Sequence, residues 1–383
     1  MTPPESAATP IITIEVRTIP PYPILVGPGA SRRLASWLVE RRLASRYMLV
    51  TDSNVAKLHV EPLSRLMIDA GLSAGAIVFP AGEANKTRAT KETVEDAMID
   101  AGCGRDSAIV AVGGGVATDL AGFVAATYQR GIRFVLVPTT LLGMVDASVG
   151  GKTGVDHAKG KNLIGAFHQP SAVFIDTNFL ATLPERYYRS GLAEIVKAAL
   201  IRDANLFERI SREAPALLMR EPALLAGAIA RSCEIKADIV AADEKEADLR
   251  KILNLGHTIG HAIETLSGYE LTHGEAVSIG MVAETRMAQS LGLMSKADAE
   301  AVERTLAKLG LPVRLPADRP GLRPDSILQT ARLDKKSRDG KTAYVLPSAI
   351  GAMARGPAGY GILIEDLLAA DVLAGMQDMV PPR

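Results

Sequence analysis

Short β-branched runs alternate with amphipathic stretches through the first half of the chain, and long alanine- and leucine-rich stretches replace them in the second. Runs at 11–16 (IITIEV), 47–52 (YMLVTD), 76–80 (AIVFP), 108–114 (AIVAVGG), 133–138 (RFVLVP) and 172–176 (AVFID) predict strands. Between them, the stretches at about 55–71, 88–102 and 117–128 place apolar residues at helical spacing. Strands and helices in alternation predict an α/β domain with a mainly parallel sheet covered by helices on both faces. Beyond Pro184 the β-branched runs nearly vanish, and segments such as 224–242 and 273–292 predict a mostly α-helical C-terminal domain. The expected division is residues 1–185 and 186–383, with 1–10 a disordered tail and the proline-rich 311–324 a loop.

A chain of 383 residues is long enough for two domains around one cleft. Lysine plus arginine equals aspartate plus glutamate at 43 each, so no bulk field draws it to nucleic acid or to an anionic membrane. Any anion site must come from a local cluster. Cys103 and Cys233 have no CxxC partner, which fits a reducing, cytoplasmic setting. The first residues lack the basic and apolar regions of a secretory signal, and no apolar run reaches the roughly 18 residues of a membrane span.

GGGVATD (113–119) follows a strand and opens a helix, so its amides, including those of Gly114, Gly115 and Val116, can approach a phosphate at a helix N-terminus. A tight turn with no ligand has the same signature, and the pattern is not GxGxxG. Other strand ends strengthen the nucleotide reading of this Rossmann-like domain. Asp52 and Asn54 follow one strand, Glu83 and Lys86 another, Thr139 and Thr140 a third, and ligands of open α/β sheets bind beyond such carboxyl ends.

RKILNLGHTIGHAIE (250–264) carries the most chemistry. On a continuous helix Arg250, Asn254, His257 and His261 fall within a stripe about 60° wide at about 100° per residue. Two imidazoles with a carboxylate and an open position suit a catalytic divalent ion such as zinc. His273 opens the next predicted helix, and Glu194, among apolar neighbours, is the best third ligand, with an ion pair to Lys197 one turn on as its plain alternative. The glycine-rich stretch 146–162, with Lys152, Lys161 and Asn162, reads as an anion-binding loop. Lys236, Lys335 and Lys336 are further cations of interest.

These residues resemble the 3-dehydroquinate synthases, in the stretches 113–170, 182–197, 231–244, 249–264 and 273–281. The resemblance implies that Glu194, His257 and His273 bind zinc or cobalt. It implies an NAD site lined by Asp52, Asn54, Glu83, Lys86, Gly114, Gly115, Val116, Asp119, Thr139, Thr140, Lys152, Lys161, Phe179 and Thr182. It assigns substrate to Asp146, Lys152, Asn162, Lys197, Lys236, Arg250, Asn254, His261 and Lys336 or its neighbour Lys335. Arg130 resembles an arginine that reaches the neighbouring subunit, which implies a homodimer. This sequence departs from the family at Gly143, Met144, Asp156, Ala198 and Ala199.

The implied reaction converts 3-deoxy-D-arabino-heptulosonate 7-phosphate, a sugar-acid phosphate, to 3-dehydroquinate and phosphate, a step toward aromatic amino acids. NAD oxidises C5 transiently, phosphate is eliminated, C5 is reduced again, and an internal aldol reaction closes the ring. A paralogous cyclase of sedoheptulose 7-phosphate or an amino analogue, and a metal-dependent NAD polyol dehydrogenase, are the alternatives.

Overall fold

The structure, a computed structural model, describes residues 9–158, 160–316, 318–319, 321–334 and 341–377. The chain forms two compact units, one of Met1–Pro184 with Pro222–Ala237, the other of Glu185–Glu221 with Asp238–Arg383. A single boundary drawn from composition leaves out the return of 222–237 to the first unit. The contacts that bring it back are tertiary: the Cys233 thiol donates to Met144 O at 3.3 Å, and Lys236 binds Asp146.

The first unit is built on a seven-stranded sheet in the order β1-β2-β9-β6-β5-β3-β4. Its strands are β1 (Ile12–Val16), β2 (Tyr22–Val26), β3 (Arg46–Asp52), β4 (Ala74–Phe79), β5 (Ser107–Gly113), β6 (Arg133–Pro138) and β9 (Val173–Ile175). Only β1 and β2 pair antiparallel; every other pairing in this sheet is parallel. All seven β5 residues are buried, as a strand flanked on both sides in a parallel sheet requires. Leu49, Val110, Val112, Val135, Val137 and Phe174 share one core with Leu34 and Leu38 of the 34–41 helix and Met67 of the 61–69 helix. After β3 the chain moves outward to β4 and then returns to the far side of β3 as β5, so the strand order reverses between β3 and β5. Open α/β sheets bind ligands at such a reversal.

The sequence reading missed β2, whose run follows two prolines. It also read 146–162 as an irregular loop. Residues 143–147 form a π-helical turn, and β7 (Lys152–His157) and β8 (Gly160–Phe167) form an antiparallel hairpin. Gly154 and Gly165 face each other there, and a Cβ on Gly165 would stand 2.0 Å from Thr153 O. The glycines permit close strand contact and are not a sign of loop.

The second unit is mainly helical, with helices Glu185–Arg202, His257–Leu266, His273–Ser290 and Lys296–Lys308 prominent. Short strands β10 (Lys341–Tyr344) and β13 (Ile362–Glu365) pair antiparallel, as do β11 (Pro347–Ala349) and β12 (Ala352–Met353). No described helix is long and apolar enough to cross a membrane.

Candidate functional site

In the first unit, the turn after β5 meets the carboxyl end of β3. Gly113 has φ +151, and a Cβ there would lie 2.6 Å from Ala117 Cβ and 3.6 Å from Asp52 Oδ2. Only glycine lets the chain turn so tightly into the Gly115–Thr127 helix. Gly114, Gly115 and Val116 stand at that helix N-terminus, where backbone donors lack intrahelical partners. Asp52 caps the short helix after β3, accepting from the amides of Asn54 at 2.9 Å and Val55 at 3.1 Å through Oδ1. Thr139 donates its amide to Gly113 O at 2.9 Å, and Thr140 Oγ1 accepts from Gly143 N at 3.0 Å. Thr139 thus braces the glycine turn, and Thr140 the start of the segment that follows β6.

Lys86 is buried and ties three segments of the first unit. Its ammonium lies 2.6 Å from both Asp119 Oδ2 and Asn162 Oδ1. Burial alone would push this amine down, and the charges of Asp119 and Glu83 raise it instead. Burial pushes the Asp119 carboxyl up against the opposing pull of Lys86. Asn162 has φ +55 and gives its amide to Asp156 Oδ1 at 2.8 Å, while Lys161 lies 3.4 Å from Glu83. Asp156 thus accepts a backbone donor. Thr182 Oγ1 lies 3.1 Å from His59 Nε2, and the His59 ring packs 4.5 Å from Phe179. Lys236 Nζ reaches Asp146 Oδ1 at 2.5 Å. Lys152 opens β7 and is exposed, and Arg130 is exposed in a turn where Gln129 and Arg130 both have positive φ.

In the second unit, the expected helical stripe is broken. Leu249–Asn254 is a 3-10 turn, Leu255 is extended, and Gly256 has φ +78 before a separate helix begins at His257. The cause is packing: a Cβ on Gly256 would lie 2.7 Å from Met281 Cγ and 2.8 Å from Val277 O. Arg250 and Asn254 therefore do not stack over the histidines on one helix. Arg250 is only 2% exposed, with Nη1 donating to Glu244 O at 2.5 Å, and Asn254 donates to Glu246 Oε1 at 2.6 Å.

The histidines do converge with Glu194. Glu194 Oε1 lies 3.7 Å from His257 Nε2 and 3.4 Å from His273 Nε2, and the three ligand atoms fall within 4.8 Å of one another. Glu194 Oε2 meets the Lys197 ammonium at 2.5 Å. The ion pair and the ligand reading are thus both present, one on each carboxylate oxygen. His261 stands beside the triad, its ring 5.2 Å from His257 and 6.1 Å from His273.

The donor set fits a divalent ion. His257 Nδ1 donates to Leu255 O at 3.0 Å and His273 Nδ1 to Glu264 Oε2 at 3.2 Å, which leaves each Nε2 lone pair for a metal. Burial, with the charges of Lys197 and His273, drops His257 well below its ordinary value and keeps it neutral. Burial would also lower His273, but Glu194 and Glu264 override it and raise the imidazole to about 10. An ion bound there takes the place of that proton. Sequence reasoning passed over Glu264. Its signal was the i+7 spacing from His257, an acid on the same face of an apolar helix. Lys335 and Lys336 lie outside the described residues.

Family models described as 3-dehydroquinate synthase N-terminal and C-terminal match residues 76–190 and 191–337. A 3-dehydroquinate synthase of Synechococcus sp. is 46% identical over 337 residues, 86% of this chain and 90% of that one. A solved 2-epi-5-epi-valiolone synthase from Streptomyces hygroscopicus subsp. jinggangensis, with NAD+ and Zn2+ bound, is 32% identical with a TM-score of 0.83 over 93% of this chain and 96% of that one. A 2-deoxy-scyllo-inosose synthase complexed with carbaglucose-6-phosphate, NAD+ and Co2+ is 28% identical, with a TM-score of 0.87 over 95% and 100%.

Proposed function

The chain belongs to the 3-dehydroquinate synthase family, and on that premise we propose that it converts 3-deoxy-D-arabino-heptulosonate 7-phosphate to 3-dehydroquinate and phosphate, with NAD and a divalent zinc or cobalt ion. The observation that carries the metal half is the convergence of Glu194, His257 and His273 with both Nδ1 atoms already committed. The nucleotide half rests on the glycine turn and Asp52 at the reversal of strand order.

When bound, NAD supplies a reversible hydride acceptor and the ion a Lewis acid that stabilises alkoxide charge. The chain's own residues bind and orient. Glu194, His257 and His273 hold the ion, with Glu264 fixing the His273 ring. The amides at 114–116 receive the dinucleotide phosphates, and Asp52, Asn54, Glu83, Lys86, Asp119, Thr139, Thr140, Lys161, Phe179 and Thr182 shape the rest of that site. Lys152 and Asn162 hold the substrate phosphate, while Lys236, Arg250, Asn254 and His261 bind its carboxylate and hydroxyls. Fixed donors on both ends keep the reacting atoms aligned through several steps. Asp146 sets the position of Lys236.

The protein acts as a homodimer in this reading. Arg130, held out from a turn with two successive positive-φ residues, serves the phosphate site of the neighbouring copy.

The test is product analysis with purified protein, NAD, zinc or cobalt and the heptulosonate phosphate. Phosphate appears in step with 3-dehydroquinate, and NADH does not accumulate. NADH growing in step with substrate consumed marks a dehydrogenase instead. Preference for sedoheptulose 7-phosphate marks a paralogous cyclase.

A further inference from the structure

His273 is oriented directly by a buried carboxylate, Glu264. His257 has no such contact among the hydrogen bonds described: its Nδ1 donates to Leu255 O at 3.0 Å. That carbonyl belongs to the same peptide group as the Gly256 amide, and the Gly256 N–H donates to Glu284 Oε2 at 2.6 Å. Glu284 lies on the His273–Ser290 helix and is fully buried at 0% exposure. One rigid peptide plane therefore has a carboxylate at its N–H and an imidazole at its C=O.

We propose that Glu284 is a positioning residue for metal binding, acting on His257 through the Leu255–Gly256 peptide. The inference rests on the reading of Glu194, His257 and His273 as the metal site. Two effects follow from the geometry. The carboxylate adds a hydrogen bond that holds the plane of the Leu255–Gly256 peptide, whose glycine sits at φ +78, and so fixes where the His257 ring points. A carboxyl oxygen accepting from the N–H at 2.6 Å also polarises the group, making Leu255 O a better acceptor and His257 Nε2 a better donor to an ion. Glu284 thus does for one imidazole through a peptide what Glu264 does for the other by contact.

The packing supports this relay. Gly280, one turn before Glu284, brings the helix backbone against Gly256: a Cβ on Gly280 would lie 1.9 Å from Gly256 O. Gly260 also packs tightly against that helix, with its Cβ position 3.1 Å from Val277 Cα. The 257–266 helix is seated on the 273–290 helix where the Glu284 carboxylate can reach the one peptide that matters.

The test is zinc affinity by competition with a chromophoric chelator, with the visible absorption of the cobalt-loaded protein as a second readout. Outer residues that orient a metal ligand are worth about 10–100-fold in affinity. Glu284→Ala is expected to weaken zinc at least tenfold and to change the cobalt spectrum. Glu284→Gln keeps an oxygen acceptor for the Gly256 N–H and is expected to show a measurable loss, smaller than that of Glu284→Ala. Both losses should disappear when measured on a His257→Ala background, because the effect passes through His257. A merely structural role would weaken binding equally in both backgrounds, and that result overturns the proposal, as does unchanged affinity in either variant. Should Glu284→Ala fail to fold, Glu284→Gln carries the same comparison. If His257→Ala alone binds zinc as tightly as the natural chain, the metal-site reading itself fails, and the relay falls with it.

Discussion

The Lys236 ammonium lies 2.5 Å from Asp146 Oδ1 and 2.6 Å from the carbonyl oxygen of the same residue. A helix residue of the returning 222–237 segment is thereby tied to the π-helical turn before the β7–β8 hairpin. The side chains are 11% and 27% exposed, so the pair is largely desolvated. Truncating one partner of such a pair costs about 2–5 kcal/mol. If Lys236 also makes the charge-assisted bond to substrate proposed above, losing that bond costs about 2–5 kcal/mol as well, and Lys236→Met is expected to lower kcat/KM by roughly 30-fold or more at about 1.4 kcal/mol per decade. Adding Asp146→Leu removes the stranded carboxylate, so thermal stability recovers while turnover does not. Recovery of turnover in the double variant would show that Lys236 serves only the fold.

Metal removal gives a second expectation. Chelation is expected to abolish phosphate release, and added zinc or cobalt to restore it, because Glu194, His257 and His273, the ligand set proposed above, leave an open position. His257→Ala and His273→Ala should remain folded by circular dichroism while holding little metal by elemental analysis. Full activity of a preparation verified as metal-free would remove the metal from the reaction.

Two glycine positions predict opposite effects on stability. Gly280→Ala puts a methyl carbon 1.9 Å from Gly256 O, a backbone atom that cannot swing aside. A loss of at least about 1–3 kcal/mol is expected from such overpacking. Gly227 lies inside the 222–242 helix with nothing within 4 Å of its Cβ position. Gly227→Ala should gain about 0.5–1 kcal/mol from the better helix propensity of alanine. Urea unfolding of both variants checks the pair, and a neutral Gly280→Ala would contradict the packing described.

Asp243 predicts an acid-dependent effect. Burial acts to raise its carboxyl, but amide donors from Arg250, Ala247 and Asp248 bring it below its ordinary value. The three amides lie 3.0, 2.8 and 2.8 Å away. A depressed folded-state value stabilises above the unfolded value of about 3.9, and the gain is lost as pH falls through the folded one. Asp243→Asn should therefore lower Tm at neutral pH, and the difference should vanish once pH has fallen below both the unfolded and the folded value of the carboxyl. An equal Tm difference at both pH values would mean that the carboxylate charge contributes nothing.

Much of this protein was legible from local pattern. β3, β5 and β6 stand where the β-branched runs put them, because a buried parallel strand must be apolar throughout. The glycine turn at 113–115, the two metal-ligand histidine candidates and Glu194 were each marked by residue type and spacing. Local pattern failed where chain segments distant in sequence decide conformation. The 250–261 stripe assumed one continuous helix, but the close approach of the 273–290 helix demands a left-handed glycine at 256 and splits it. The glycine-rich 146–162 stretch hid a hairpin, since glycines that allow two strands to touch look the same in sequence as glycines that loosen a loop. The return of 222–237 to the first unit and the bond from the Gly256 amide to Glu284 depend on contacts that no spacing rule carries, and the i+7 spacing that put Glu264 on the His257 face did not reveal its bond to His273. Sequence determined which groups are available for chemistry; packing decided which of them meet, because a side chain's partners are set by the backbone that other segments allow.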